Sequence, residues 1–157
     1  MSKSRLPAPE ALASTLRSLF GRAVTGKVLP ALVAPVATSL TASYELDDGT
    51  VGGACILDVQ LAASLGAALA LMPPAVAAEA VRRGALDAAL LENVHEVLNI
   101  CTGLFEGGDA PHVRLGAVGA GAVPPAVQAM LKVPRNTVCI EVAVQGYPAG
   151  RLIAAIG

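Results

Sequence analysis

The 157 residues are 54% hydrophobic with a mean hydropathy of +0.63, yet aromatics make up only 3% and tryptophan is absent, so alanine and the aliphatics supply the apolarity. Eleven basic against twelve acidic residues leave a net charge of -1, which offers no electrostatic footprint for nucleic acid or for an anionic membrane surface. With 15% charged residues the composition fits one packed domain over 1–157 and lacks the signature of disorder.

In chain order, Pro9-Glu10 opens a helix with Leu12, Leu16, Leu19 and Phe20 on one side, and Gly21 stops it. Residues 37–46 alternate, Leu40, Ala42, Tyr44 and Leu46 facing one way and Thr41, Ser43 and Glu45 the other. Asp47-Asp48-Gly49 then turns into 51–57, predicting a hairpin. Helix is expected over 60–72, a shorter piece over 74–83 closed by Gly84, and a long amphipathic helix over 85–105. Gly107-Gly108 breaks it, 112–118 reads as extended, and Pro124-Pro125 begins a short helix through Leu131. Alternation over 138–145, a turn at 146–150 and a strand over 152–156 complete a second hairpin, expected to offer edge strands for pairing. Segregated helices and hairpins predict an α+β fold, a largely antiparallel sheet packed against helices with the long helix at its centre.

The uncharged stretch 59–78 is long enough to span a bilayer, which takes about 20 residues. Pro73-Pro74 interrupts it, Gln60 and Ser64 lie inside it, and alanine inserts less readily than leucine, so no membrane insertion is expected. The first residues carry two positive charges without an apolar run behind them, which does not read as a signal peptide, and the expected location is cytoplasmic. Cys55, Cys101 and Cys139 are scattered among apolar neighbours and read as reduced core thiols.

The 85–105 helix carries the chemistry. Leu91, Val94, Leu98, Cys101 and Phe105 recur at three and four to form a core stripe, widened by Leu90, Val97 and Leu104. Asp87 falls in the same column, where a carboxylate is best explained as a first-turn cap, so the helix is expected to start nearer Asp87. The opposite arc holds Glu92, His95, Glu96, Asn99, Thr102, Gly103 and Glu106. Glu96 and Asn99, three apart, project together, and Gly103 leaves a shallow place of approach. A merely solvated face accounts for polarity, but not for Asn and Gly. They cost a few tenths and about 1 kcal/mol of helix propensity, on one face, in a chain rich in better helix formers.

Two other motifs point elsewhere. His95-Glu96-x-x-Asn99 is one residue from a zinc-protease helix, but the second histidine is missing and Asn is a poor zinc ligand, so no metal site is expected. Residues 116–121 are glycine-rich after a strand, but Pro124 stands where the third glycine of a dinucleotide loop belongs.

The segment Glu96-Val97-Leu98-Asn99-Ile100-Cys101-Thr102-Gly103 resembles the E-x-x-N-x-x-x-G signature of the CheC/CheX/FliY family of chemotaxis phosphatases, and the order of elements is similar over nearly the whole chain. A single signature helix is most similar to the CheX branch. Glu92 stands where the family often has Asp or Ser, and Pro124 or Pro125 lies slightly later than the family's proline. The resemblance implies a homodimer with paired sheets and hydrolysis of the phosphoaspartate on a phosphorylated CheY-like receiver domain. It assigns Asn99 to aligning the attacking water and Glu96 to a receiver lysine, with Glu92, His95, Gly103 and Glu106 around them as partner-binding residues. No cofactor of the chain's own is implied, since Mg2+ belongs to the receiver. The same face could serve an adaptor that binds a receiver or a flagellar-switch-like partner without hydrolysis.

Overall fold

The computed structural model describes residues 4–30 and 34–157. Six strands form one antiparallel sheet in the order β1 (Val24–Val28), β5 (Thr137–Val144), β6 (Gly150–Ile156), β3 (Val51–Leu57), β2 (Leu40–Glu45), β4 (Arg114–Ala120). The two expected hairpins meet in the middle, where β3 pairs β6 from Gly53↔Ile156 to Leu57↔Leu152. The C-terminal hairpin is therefore interior, against expectation, and the edges are β1 and β4.

The strand that displaces it, β1, has a weak sequence signal because a glycine interrupts its five residues and much of it is exposed. Gly26 is required there. A Cβ at that position would stand 2.9 Å from the Pro9 carbonyl oxygen, so only a bare backbone lets β1 pass under the first helix.

Strand alternation divides the sheet into two apolar faces. Leu40, Ala42, Tyr44, Leu57, Ile140, Val142, Leu152 and Ala154 face α1 (Pro9–Phe20), α2 (Val59–Leu69) and α4 (Ala88–Ile100). On the other face, Ala54, Ile56, Cys139, Ile153 and Ala155 are covered by Val127 and Met130 of α5 (Pro125–Leu131). α3 (Pro74–Arg83) lies outside this, its Ala77 and Ala80 packed on Ala63, Ala67 and Leu90. The alanine excess is thus a layering device, since small side chains let helices stack closely on helices already covering the sheet.

α2 is the middle of that stack and is buried on nearly every side. It ends at Leu69, short of the expected 72, and begins on Asp58, whose Oδ1 accepts the Leu61 N–H at 2.8 Å while Oδ2 accepts the Arg151 N–H at 3.0 Å. Gly66 lets α4 lie directly against it, since a Cβ there would come within 2.8 Å of the Leu90 carbonyl oxygen. Among the described residues no helix is long and apolar enough to cross a membrane. The three cysteines are free and buried. Burial pushes the Cys55 thiol far above its usual range and the Cys101 thiol up to about 12, so both stay protonated and inert at neutral pH.

Candidate functional site

α4 starts where Asp87 caps it, the carboxylate Oδ1 accepting the Leu90 N–H at 2.9 Å. The helix runs from Ala88 to Ile100, starting at the expected Asp87 cap, and tightens into a 3-10 turn over Cys101–Phe105, so its α-helical part ends before the expected 105. Its position is fixed from three directions. The buried Tyr44 hydroxyl donates to the Leu98 carbonyl at 2.7 Å, satisfying one of the last carbonyls of the helix. The Tyr44 and Phe105 rings pack with centroids 4.5 Å apart, and Phe105 occupies the space over Gly53, where a Cβ would meet its ring at 2.6 Å. From the side, Asn93 Nδ2 donates to the Gly66 carbonyl at 3.1 Å. Desolvation holds the Tyr44 phenol well above its ordinary pKa, so it remains a donor throughout the physiological range.

Close contact with α2 also sets the rotation of the helix. Leu90, Val94, Val97, Leu98 and Cys101 are buried, whereas Leu91, expected in the core stripe, is 41% exposed. At about 100° per residue Leu91 falls at one rim of the expected stripe and Leu90 and Val97 at the other, and it is the Leu90 and Val97 rim that is buried. Gly66 is what lets the Leu90 rim come so close, since a Cβ there would stand 2.8 Å from the Leu90 carbonyl oxygen.

The exposed face carries Glu92, His95, Glu96 and Asn99. None of their side chains hydrogen-bonds or ion-pairs with another side chain or backbone group among the described residues. Glu96 and Asn99 lie one turn apart, with Cβ atoms roughly 5–6 Å from each other by helix geometry. Gly103 follows in the 3-10 turn, exposed, with open space where its side chain would be.

Two members of the expected arc are placed differently. Thr102 is half-buried with its hydroxyl shielded and unpartnered among the described residues. Glu106 lies beyond the helix in extended backbone, since the tighter turn after Ile100 changes the phase. Its carboxylate accepts the Val113 N–H at 3.0 Å and sits 2.7 Å from His112 Nδ1, closing the loop that Gly107 and Gly108 begin. His112, remote in sequence reasoning, is thus the partner of Glu106, a pairing signalled only by two polar residues flanking a double-glycine turn.

The ridge can present an amide and carboxylates to a partner from a rigid support. Among the described residues no three His, Cys, Asp or Glu side chains cluster in a way that could hold a metal ion. The glycine-rich 116–121 segment belongs mostly to edge strand β4, paired with β2, and does not form a loop at a helix start.

No family model matches the sequence, and no curated protein matches it either. The fold has clear counterparts. FliY from Thermotoga maritima is 17% identical, with 96% of this chain and 84% of that chain covered at a TM-score of 0.59. The FliM middle domain from H. pylori is 13% identical, covering 94% and 84% at 0.63. A FliG–FliM complex from H. pylori gives 13% identity, 94% and 86% coverage, at 0.53. Likeness at such identities is likeness of fold, and it bears out the CheC/CheX/FliY-type α+β architecture.

Proposed function

We propose that the chain is a phosphatase for the phosphoaspartate of a CheY-like receiver domain, working in the cytoplasm and docking through the exposed face of α4. The observation that carries this reading is the joint exposure of Glu96 and Asn99, unpartnered, on a helix locked by Tyr44, Gly66 and Asp87.

An acyl phosphate is already activated, so its hydrolysis needs positioning and charge neutralisation more than covalent help. Water attacks phosphorus, the bond from phosphorus to the aspartyl oxygen breaks, and the electron pair leaves with the carboxylate while inorganic phosphate departs. The Asn99 amide suits this step because its oxygen accepts from the water and its nitrogen donates to a phosphoryl oxygen without adding negative charge. Glu96 pairs with a receiver lysine and fixes the approach. Mg2+ is carried by the receiver. In a homodimer, the exposed edges β1 and β4 are the strands free to pair sheets.

The test is phosphate release from a phosphorylated receiver at concentrations that saturate binding. Asn99→Ala is expected to slow it by about 100-fold or more, the size of effect seen when reacting groups lose alignment. Equal rates for variant and wild type would remove the catalytic reading. A second reading, an adaptor that binds a receiver or flagellar-switch-like partner, is favoured by the FliM likeness, one instance of which is a complex with FliG. It predicts a complex whose formation leaves the rate of phosphate loss unchanged.

A further inference from the structure

Beside the N-terminal half of the ridge lies a pocket of about 160 Å3 whose walls include Leu40, Val59, Ala85, Leu86, Leu91 and Val118. Its lining is mostly apolar, with Thr38 the one polar side chain, and its size matches a cavity that takes up one benzene-sized group, about 150 Å3. Leu91 belongs to both features. It forms part of the pocket wall, is 41% exposed, and lies one turn from His95 and next to Glu92. The other flank of α4 differs. There Ile100 lines, with Leu19, Ser14, Thr15 and Ser18 of α1, a wide, open depression with hydroxyls in its walls.

We infer that this pocket is the anchor hole of the docking surface, receiving one large apolar side chain of the receiver while the acidic ridge meets basic groups beside it. The inference rests on the receiver-docking reading above. Two observations select a protein side chain as occupant. The pocket is continuous with the ridge through Leu91, and Glu92 and Glu96 lack a cationic partner among the described residues, which calls for a partner surface with lysine or arginine next to its apolar anchor. A buried aliphatic or aromatic anchor flanked by charge pairs at its rim is how a small interface concentrates its affinity.

The experiment measures steady-state dephosphorylation of phosphorylated CheY-like receiver domains by the full chain, separating KM from kcat. Ala85→Phe plugs the pocket from its exposed rim, and Leu91→Ala removes a wall; Val28→Thr, at the far edge strand, controls for general loss of exposed apolar surface. Both pocket variants are expected to raise KM tenfold or more, the effect of losing one buried apolar side chain, with kcat within twofold of wild type and Val28→Thr unchanged in both. Unchanged KM in folded Ala85→Phe and Leu91→Ala, alongside an active wild type, overturns the anchor and leaves the phosphatase reading standing. A wild type that binds no phosphorylated receiver overturns both.

Discussion

α2 and α4 lie side by side, begin on the same kind of aspartate cap and draw on the same alanine- and leucine-rich vocabulary, yet they treat polar residues in opposite ways. In α2, Ser64 is fully buried and its hydroxyl donates to the Pro148 carbonyl at 2.7 Å, so the polar group has a structural purpose that can be named. On α4, Glu92, His95, Glu96 and Asn99 stand in solvent with no partner among the described residues, and one of them is a poor helix former. Asn93, the one asparagine of α4 that does meet a neighbour, faces α2. The fold therefore accounts for Ser64 and Asn93, which are packed between elements, and for none of the four polar side chains on the exposed ridge, whereas α2 exposes only Gln60 at its start.

The sharpest way to break this comparison is through the two leucines that local periodicity treats alike. Leu98→Ala should cost about 2–5 kcal/mol in chemical denaturation, as a buried leucine does. Leu91→Ala should cost under about 1 kcal/mol, since its side chain is already partly in water. Similar losses at both positions would mean that Leu91 is packed as deeply as Leu98. Glycines give the next largest contrast. Gly66→Ala forces a Cβ against the Leu90 carbonyl and should destabilise by about 1–3 kcal/mol despite its better helix propensity. Gly103→Ala meets only open space and should leave stability unchanged or raise it by up to about 1 kcal/mol.

How far these features could be read in the sequence follows from whether they are local. The Asp87 cap, both hairpins, the proline-led α5 and the exposure of Glu96 beside Asn99 follow from spacing within a few residues, and they appear where spacing puts them. What escaped depends on contacts between distant segments. Which rim of the α4 stripe is covered depends on Gly66, 24 residues before Leu90. β1 exists because β5 offers it an edge and Gly26 clears Pro9, neither of which a five-residue pattern with a central glycine can announce. Glu106 leaves the ridge because Phe105 is pulled down over Gly53, tightening the backbone just before it. The apolar surplus looked membrane-like only because alanines that separate stacked helices score the same as alanines that face lipid.

The smallest expected effect lies at the α2 cap and concerns pH. Asp58 is partly buried, and desolvation raises its pKa above the ordinary value despite the two N–H groups of Leu61 and Arg151 that it accepts. A carboxyl with a raised folded pKa binds its proton more tightly in the folded chain than in the unfolded one. Its contribution to stability is therefore fully present below the unfolded value of about 3.9 and declines as pH rises through the folded value. Asp58→Asn removes the titration and exchanges the Arg151 contact for a constant offset. Denaturation of both proteins at a series of pH values should show the wild type losing stability relative to Asp58→Asn as pH rises through that window, with a shallow slope because the site is half open to screening solvent. A wild type that gains on the variant over the same range would show that the two N–H bonds outweigh burial, and that the α2 cap is held by its charge as the exposed face of α4 is read to hold a partner.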